Sequence, residues 1–379
     1  MRKEFIIAEK EFRDHLTSKR FLVFFAIVLI LAVVGMIGGL DNYHIMLDQY
    51  KTTVAQNAKD PNHALMIAQM QQQLQNMTSS GADSDTIEQM QYQIEDAQSP
   101  IMPSIITVYY SITNPFYMVG MFLAMIIGFD ILTKEKDEGT LKSLLSRPLY
   151  RDSLINGKAI AAVALIAVVL ACTFLVTGAV LLLNNIVPQG DDLARMVALY
   201  LVTMLYMVAF FAISMMVSAL SKNTSMALLV SICIIVVLYE LPSVSSPIIT
   251  AVIGDWPQYP QTNYDPNGDP VAQQQLQEQQ QKQYQQLQQD YYNKETLLND
   301  VLNGISPEYQ YSEIAGALST RTPQGQLIGT DYLAAEHKSL NRTVWQSLAD
   351  VWVGLLVILV EIVVAFAVSY VKFLRMDIR

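Results

Sequence analysis

Glu361 stands near the middle of an apolar run over residues 350–371 that is long enough to cross a bilayer. A carboxylate at the centre of a membrane helix costs about 2.5–3.5 kcal/mol on insertion scales, so its side chain must face protein, water or a proton. Two interpretations follow. Glu361 either forms a cavity-facing site for an ion or proton, or it is a protonated carboxyl whose hydrogen bond joins two helices.

His63, Met66 and Met70 are the other residues whose types and spacing point to chemistry, because they lie three or four apart in a Gln- and Met-rich stretch. Thioether sulfur is a soft ligand that suits Cu(I). Methionine at such spacing also fills the interface between two helices, which is its more common use. We therefore predict no metal site and no cofactor, and we keep copper binding as an open alternative.

No catalytic constellation is present in the sequence. Neither a His-Glu-x-x-His nor a Gly-x-Ser-x-Gly motif occurs, and the four histidines are scattered along the chain. The two cysteines, Cys172 and Cys233, lie inside apolar stretches, which excludes a disulfide framework. We predict that the chain is not an enzyme.

Six apolar stretches dominate the chain, in which 52% of the residues are hydrophobic and only 15% are charged. A bilayer core of about 30 Å requires roughly 20 helical residues, and each stretch supplies close to that number. The sequence therefore predicts an all-α integral membrane protein with six transmembrane helices. Their predicted bounds are 21–40, 106–132, 159–183, 196–220, 225–241 and 350–371.

Positive charge is concentrated in four connecting pieces. Residues 1–20, 133–158, 221–224 and 372–379 contain sixteen of the 24 Lys and Arg residues. Cytoplasmic loops carry such an excess, so both termini are predicted to be cytoplasmic in a multi-pass protein of the cell membrane. Because these basic residues lie where topology requires them, they do not indicate nucleic-acid binding.

The two longest connections, 41–105 and 242–349, are acidic and would lie outside the cytoplasm. We predict that both are largely helical insertions, the first of them a helical hairpin. In the second, Pro242 and Pro247 favour a short re-entrant piece directly after the fifth span. The Gln-rich stretch that follows is either a long solvated helix or a disordered tether.

Residues 1–20 carry Phe5, Phe12 and Leu16 at a spacing close to 3.6 among many charged residues. This pattern predicts an amphipathic helix whose apolar face lies in the membrane interface while Lys and Arg meet lipid headgroups. The alternative is a solvated leader.

Three smaller features concern the ends and faces of the spans. Asp130 and Glu240 lie near span ends, where we expect their side chains to snorkel to headgroups. Gly35 and Gly39 are four residues apart in the first span and favour a close helix contact there.

The connection at 133–158 contains a short apolar pattern that a simple polar loop does not need. Gly139 and Thr140 suit a helix start, and Pro148 suits its end. Between them Leu141, Leu144 and Leu145 would form one apolar face. The sequence thus predicts a short cytoplasmic helix with an exposed apolar side.

This connection resembles the loop that couples ABC-2 type permeases to their ATPase. The matching residues are Glu138, Gly139, Thr140, Leu144, Leu145, Ser146, Pro148, Arg151, Gly157 and Lys158. The resemblance also covers the six-span layout and the interfacial first helix, and it is closest to the permeases associated with multi-copper-enzyme maturation and with sodium extrusion.

The resemblance implies the permease subunit of an ATP-driven exporter, with the 133–158 connection docked on a separate ABC ATPase subunit. It further implies a second permease protomer, in a homo- or heterodimer that works in membrane lipid. No Gly-x-x-x-x-Gly-Lys-Ser/Thr motif occurs, so ATP is expected to bind on the other subunit. The alternative function is a non-transporting membrane scaffold or mechanotransmitter whose outer helical domains recruit a partner.

Overall fold

The computed structural model describes residues 3–81, 84–100, 102–106, 108–109, 111, 116–139, 151–188, 190–259, 270–319 and 343–375. Every regular element in these ranges is helical. The thirteen α-helices are α1 Lys3–Leu16, α2 Lys19–Lys59, α3 His63–Ser79, α4 Ser84–Gln98, α5 Met121–Gly128, α6 Thr133–Asp137, α7 Arg151–Leu183, α8 Gly190–Leu220, α9 Thr224–Ile253, α10 Pro270–Asn303, α11 Pro307–Ser319, α12 Val344–Asp350 and α13 Trp352–Leu374.

Five of the described helices, α2, α7, α8, α9 and α13, are long and apolar enough to cross a membrane. The remaining predicted span, 106–132, lies only partly within the described residues, where a π-helical turn Phe116–Gly120 leads into α5. The chain divides into two compact units, Met1–Cys233 with Gln310–Arg379 and, separately, Ile234–Tyr309.

Helix α2 extends well past the predicted first span. It has 41 residues, because the stretch after Leu40 contains no Gly or Pro until Pro61 follows its end. Helices α3 and α4 come next and pair with each other, and Nε2 of His63 lies 3.0 Å from the carbonyl oxygen of Ala97. The predicted close contact of the first span is present at Gly39, where an added Cβ would lie 2.9 Å from Cβ of Ser111.

Helix α8 forms the centre of the first unit. Its large side chains Met207, Phe210, Phe211 and Met215 are buried against neighbouring helices, chiefly α13 and α5. A core of this kind explains why α8 is the most buried of the five spans, whereas α2, α9 and α13 leave much apolar surface exposed.

Arg195 near the start of α8 is fully buried. Its Nε donates to Asp191 at 2.8 Å, and its Nη1 donates to the carbonyl oxygen of Leu318 at 3.0 Å and to Oγ of Ser347 at 3.4 Å. These partners lie in α8, α11 and α12. The Arg195 guanidinium is thus hydrogen-bonded although it is buried. Its positive charge lies at the last turn of α11, where the helix dipole favours a cation.

The predicted re-entrant bend after Pro242 is not present, because α9 continues through Pro242 and Pro247 to Ile253. A proline lacks the N–H that would bond to the carbonyl four residues earlier. For Pro242 that carbonyl belongs to Leu238, and the hydroxyl of Ser306 donates to it at 2.9 Å. A neighbouring side chain thus replaces the missing backbone donor, as membrane helices with internal proline require.

The second unit contains the later part of α9 and the whole of α10, and the Gln-rich stretch within it is a long helix and not a tether. At one end Trp256 packs edge-on against Tyr291 and Tyr292, with ring centroids 5.0 and 4.8 Å apart. At the other end Ser306 bonds to Leu238. These two contacts show that α9 and α10 run antiparallel.

Candidate functional site at the helix ends around residues 133–158

Five of the eleven residues predicted for the 133–158 connection lie in the described part of the chain. Glu138 and Gly139 follow α6, and Arg151 begins α7, which contains Gly157 and Lys158. Gly139 has a φ of +65°, which glycine adopts without strain. The other predicted residues, Thr140, Leu141, Leu144, Leu145, Ser146 and Pro148, lie outside the described residues.

Lys158 is the buried centre of this region, with 4% of its side chain exposed. Its Nζ lies 2.9 Å from Oε1 of Glu135 in α6 and 3.1 Å from Oε2 of Glu11 in α1. A buried ammonium is tolerated when carboxylates pair with it, and removing one member of such a set is strongly destabilising. Lys158 therefore ties three helices together at one point.

Gly157 allows α1 to lie directly on α7. A Cβ at this position would be 2.8 Å from Cβ of Ile7 and 2.9 Å from the carbonyl oxygen of Glu4. Ala8, also on this side of α1, is buried. The Gly-Lys pair thus has a packing role at Gly157 and an electrostatic role at Lys158.

The apolar residues predicted to face the membrane interface, Phe5, Phe12 and Leu16, all lie in α1. Phe5 and Leu16 are exposed on a different face from the one that contacts α7. The helix therefore has one protein-facing side and one apolar side that can lie in a membrane interface.

Lys136 and Asp137 in α6 hold the link between α8 and α9. Nζ of Lys136 donates to the carbonyl oxygens of Ala219 and Ser221 at 3.2 Å, and Oδ2 of Asp137 accepts from the backbone N–H of Thr224 at 2.8 Å. The cation lies at a helix C-terminus and the anion at a helix N-terminus, as helix dipoles favour. Hydrogen bonding from Thr224 holds the pKa of Asp137 below its usual value, whereas burial lowers the pKa of Lys136.

Arg151 connects the start of α7 to the end of α13. Its Nη1 donates to the carbonyl oxygen of Leu374 at 2.9 Å. The residues on both sides of the 140–150 loop are therefore bonded to the ends of other helices. We call Glu11, Glu135, Lys136, Asp137, Arg151 and Lys158 the charged cluster.

A cavity of about 900 Å³ opens beside the charged cluster and is lined by residues of α1, the start of α2 and the region around α6. Asp130 on its wall lies 3.7 Å from Arg20, so it pairs with a side chain of the protein, whereas the sequence predicted that it would reach the headgroups. Burial lowers the pKa of His15, which also lines this cavity.

Sequence reasoning identified Arg151, Gly157 and Lys158 but missed Glu11, Glu135, Lys136 and Asp137. A signal for Glu11 was available, because Glu4, Ile7, Ala8 and Glu11 follow one face of α1 at helical spacing. The partners of Lys136 and Asp137 are backbone groups, and no residue pattern could have revealed them.

Glu361 lies on the face of α13 that also carries the buried residues Ile358 and Ala365. Its Oε2 is shielded from solvent and has no hydrogen-bond partner among the described residues. Among the described residues, therefore, no interhelical hydrogen bond reaches this oxygen.

His63, Met66 and Met70 all lie in α3. One ring nitrogen of His63 is engaged with Ala97, and Met66 is exposed. Within the described ranges no group of three His, Cys, Asp or Glu residues is arranged to hold a metal ion.

The long apolar helices define a multi-pass membrane protein, and the charged cluster joins their ends around one connecting loop. The sequence matches the family described as ABC-2 family transporter protein over residues 5–378, and the chain belongs to that family. It is therefore a permease subunit of an ABC transporter, a membrane component that works with an ABC ATPase. No relative is found among curated proteins.

Proposed function

We propose that the chain is the permease of an ATP-driven exporter that crosses the cell membrane six times, with residues 106–132 as the remaining span. Both termini lie in the cytoplasm, as the sixteen basic residues in the four connecting pieces favour. Two permease protomers work with two ATPase subunits. The resemblance to permeases of copper-enzyme maturation and sodium extrusion remains a prediction about the subgroup.

The charged cluster is the observation that supports this function. In the proposed mechanism, residues 140–150 dock on the ATPase, and closure of the ATPase on ATP displaces them. The two flanks of the loop then carry the displacement into α1 and α7 through Lys158, into the α8–α9 link through Lys136 and Asp137, and into α13 through Arg151.

Charged contacts suit this task because they are directional and costly to break. Separating a buried ion pair costs about 3–5 kcal/mol, whereas an exposed pair contributes about 0–1 kcal/mol. A connection through Lys158 therefore resists sliding more than ordinary surface contacts do. The interaction converts a movement of one loop into a concerted movement of several helices.

The test separates docking from transmission in a complex reconstituted in lipid with its ATPase. Leu144→Asp with Leu145→Asp is expected to abolish co-purification of the ATPase. Lys158→Met is expected to preserve co-purification but to remove the effect of the permease on the rate of ATP hydrolysis. The exposed Lys222→Met serves as a matched lysine control. Undiminished ATPase binding in the double Leu variant would rule out docking through these leucines. A rate of ATP hydrolysis in Lys158→Met equal to that of the wild type would rule out transmission through Lys158.

A second role is proposed for Glu361 as a proton or ion site within the membrane, supported by its buried oxygen without a hydrogen-bond partner in the described region. Glu361→Gln is expected to fold normally but to impair transport. Full transport by this variant, at an expression level equal to that of the wild type, would exclude an ion-site role.

A further inference from the structure

The cavity beside the charged cluster lies where charged residues give way to apolar ones. Lys19 and Arg20 on its wall precede the apolar part of α2, which starts at Phe21, and Ile126 and Ile127 of α5 form another part of the wall. Its volume of about 900 Å³ is in the range of about 300–1,000 Å³ that small-molecule sites occupy. In a membrane protein, such a boundary between charged and apolar surface belongs at the level of the lipid headgroups.

Both signs of charge line this cavity, with six carboxylates and five lysine or arginine side chains. Some of them satisfy each other, since Lys158 is held between Glu11 and Glu135. A ligand with negative charge alone would be repelled by the carboxylates, and a ligand with positive charge alone would be repelled by the basic side chains. A ligand that carries a cation and an anion side by side is therefore the best match.

Asp130 is the acceptor that suits the cationic group. Its side chain lies on the cavity wall and is only 17% exposed. Nη1 of Arg20 lies 3.7 Å from Oδ2 of Asp130, which is longer than the about 2.7–2.9 Å of a charge-assisted hydrogen bond, and the Arg20 side chain is 73% exposed. A largely buried carboxylate with so loose a partner gains from a closer donor. An ammonium group in the cavity would supply that donor.

The start of α2 suits the anionic group. Ser18 caps this helix, and its Oγ accepts from the backbone N–H of Phe21 at 3.2 Å. The backbone N–H groups of Lys19 and Arg20 belong to the first turn, which lacks intrahelical acceptors and carries the positive end of the helix dipole. The side chains of Lys19 and Lys134 are exposed and line the same cavity. Phosphate is an anion that both backbone N–H groups and lysines bind.

We propose that this cavity binds the phosphoethanolamine headgroup of a phospholipid, with the ammonium group on Asp130 and the phosphate at Lys19, Arg20 and the start of α2. Arg20 turns from Asp130 to the phosphate when the headgroup enters. The lipid reaches the cavity beside α1, where Phe5 and Leu16 are exposed and suit the membrane interface. A phosphocholine headgroup fits less well, because its trimethylated nitrogen has no N–H to donate to the carboxylate.

Competition between lipids for the full-length protein tests this site. The protein is purified in mild detergent and incubated with an equimolar mixture of phosphatidylethanolamine, phosphatidylcholine and phosphatidylglycerol with the same acyl chains. Native mass spectrometry then measures the retained lipids. Wild-type protein is expected to retain about tenfold more phosphatidylethanolamine than either competitor, which corresponds to about 1.4 kcal/mol. Binding requires no ATPase subunit, so its failure is distinguishable from a failure of the proposed function.

Two variants separate the two halves of the site. Asp130→Asn is expected to abolish the preference for phosphatidylethanolamine over phosphatidylcholine, and Asp48→Asn, at an 80% exposed side chain outside the cavity, is its control. Lys19→Gln with Arg20→Gln is expected to weaken retention of all three lipids, with the exposed Lys51→Gln as control. Because the preference is a ratio within one sample, a smaller amount of folded protein does not alter it.

Equal retention of the three lipids by the wild type, a preference for phosphatidylglycerol, or a preference for phosphatidylethanolamine that survives Asp130→Asn would each overturn the proposal. Soluble glycerophosphoethanolamine, added at the same concentration as the lipids, distinguishes the two sources of this headgroup. We expect it to leave the retained lipid in place, because it has no acyl chains to bury. Displacement of the lipid would show that the ligand is a water-soluble phosphoethanolamine compound, which would overturn the lipid as the ligand.

Discussion

The charged cluster and the second unit, Ile234–Tyr309, are held together by different kinds of contact. At the cluster, a buried lysine contacts two carboxylates, and three further charged side chains bond to groups at other helix ends. In the second unit, the contacts are aromatic edges and one hydroxyl bonded to a carbonyl. The buried charges of the first region make its helices costly to separate, as the proposed transmission of displacement requires, whereas the neutral contacts of the second unit cost less to rearrange.

The largest effect is expected from Lys158→Met, which leaves Glu11 and Glu135 without their buried partner. The variant should lose about 3–5 kcal/mol of stability, measured by denaturant unfolding in detergent. The triple variant Lys158→Met, Glu11→Gln, Glu135→Gln should recover most of this loss, because no unpaired charge remains. A triple variant as unstable as the single one would show that the ion pairs do not hold these helices together.

Gly157→Ala tests whether close packing is as important as charge at this site. The added methyl group would overlap Ile7, so we expect a loss of about 1–3 kcal/mol and faster proteolysis of α1. Gly38→Ala is the matched control, since an added Cβ there has no atom within 4 Å. Equal stability of the two variants would contradict the close approach of α1 and α7.

Ser306→Ala tests the neutral contact of the second unit. It leaves the carbonyl of Leu238 without its donor, at a cost of about 1–3 kcal/mol. In a Pro242→Ala background the backbone N–H returns, and the same substitution should then be nearly neutral. The double-mutant cycle measures this coupling. Additive effects of the two substitutions would show that Ser306 does not compensate for the proline.

The smallest expected effect is a pH dependence at His15. Burial lowers its pKa from an ordinary value near 6.5, with Glu11 and Asp130 opposing the shift and Lys158 and Lys134 adding to it. The folded protein therefore favours neutral His15. Its stability should fall as the pH drops below about 6.5 and should level off below the lowered pKa of His15 in the folded state. Hydrogen exchange of α1 between pH 7.5 and 5.5 measures this change. His15→Gln should flatten the profile, and an unchanged profile would exclude His15 as its source.

The sequence predicted an all-α membrane protein with six spans, and five helices long and apolar enough to cross a membrane are present among the described residues. Hydropathy and length are local properties, which is why the sequence could predict them. It also selected Gly157 and Lys158. It could not supply Glu11 as the partner of Lys158, since the two residues are far apart in the chain and only the packing of α1 on α7 brings them together.

The course of α9 shows a second limit of sequence reasoning. Pro242 predicted a bend, and its missing N–H is a valid local reason for one. The compensation comes from Ser306, more than sixty residues later, so the local rule failed because of a tertiary contact. Arg195 was missed for a similar reason, because its partners Leu318 and Ser347 lie in other helices.

In the proposed function the charged cluster carries ATP-driven movement into the spans, and a distance measured on α7 tests this movement most directly. Lys158 lies near one end of this helix, and Leu183 at the other end is 80% exposed. Spin labels at Leu183→Cys in both protomers of the reconstituted complex, in a background without Cys172 and Cys233, report their separation with and without ATP. We expect an ATP-dependent change in this distance that disappears in Lys158→Met while the ATPase stays bound. The same change in distance in both proteins would contradict it.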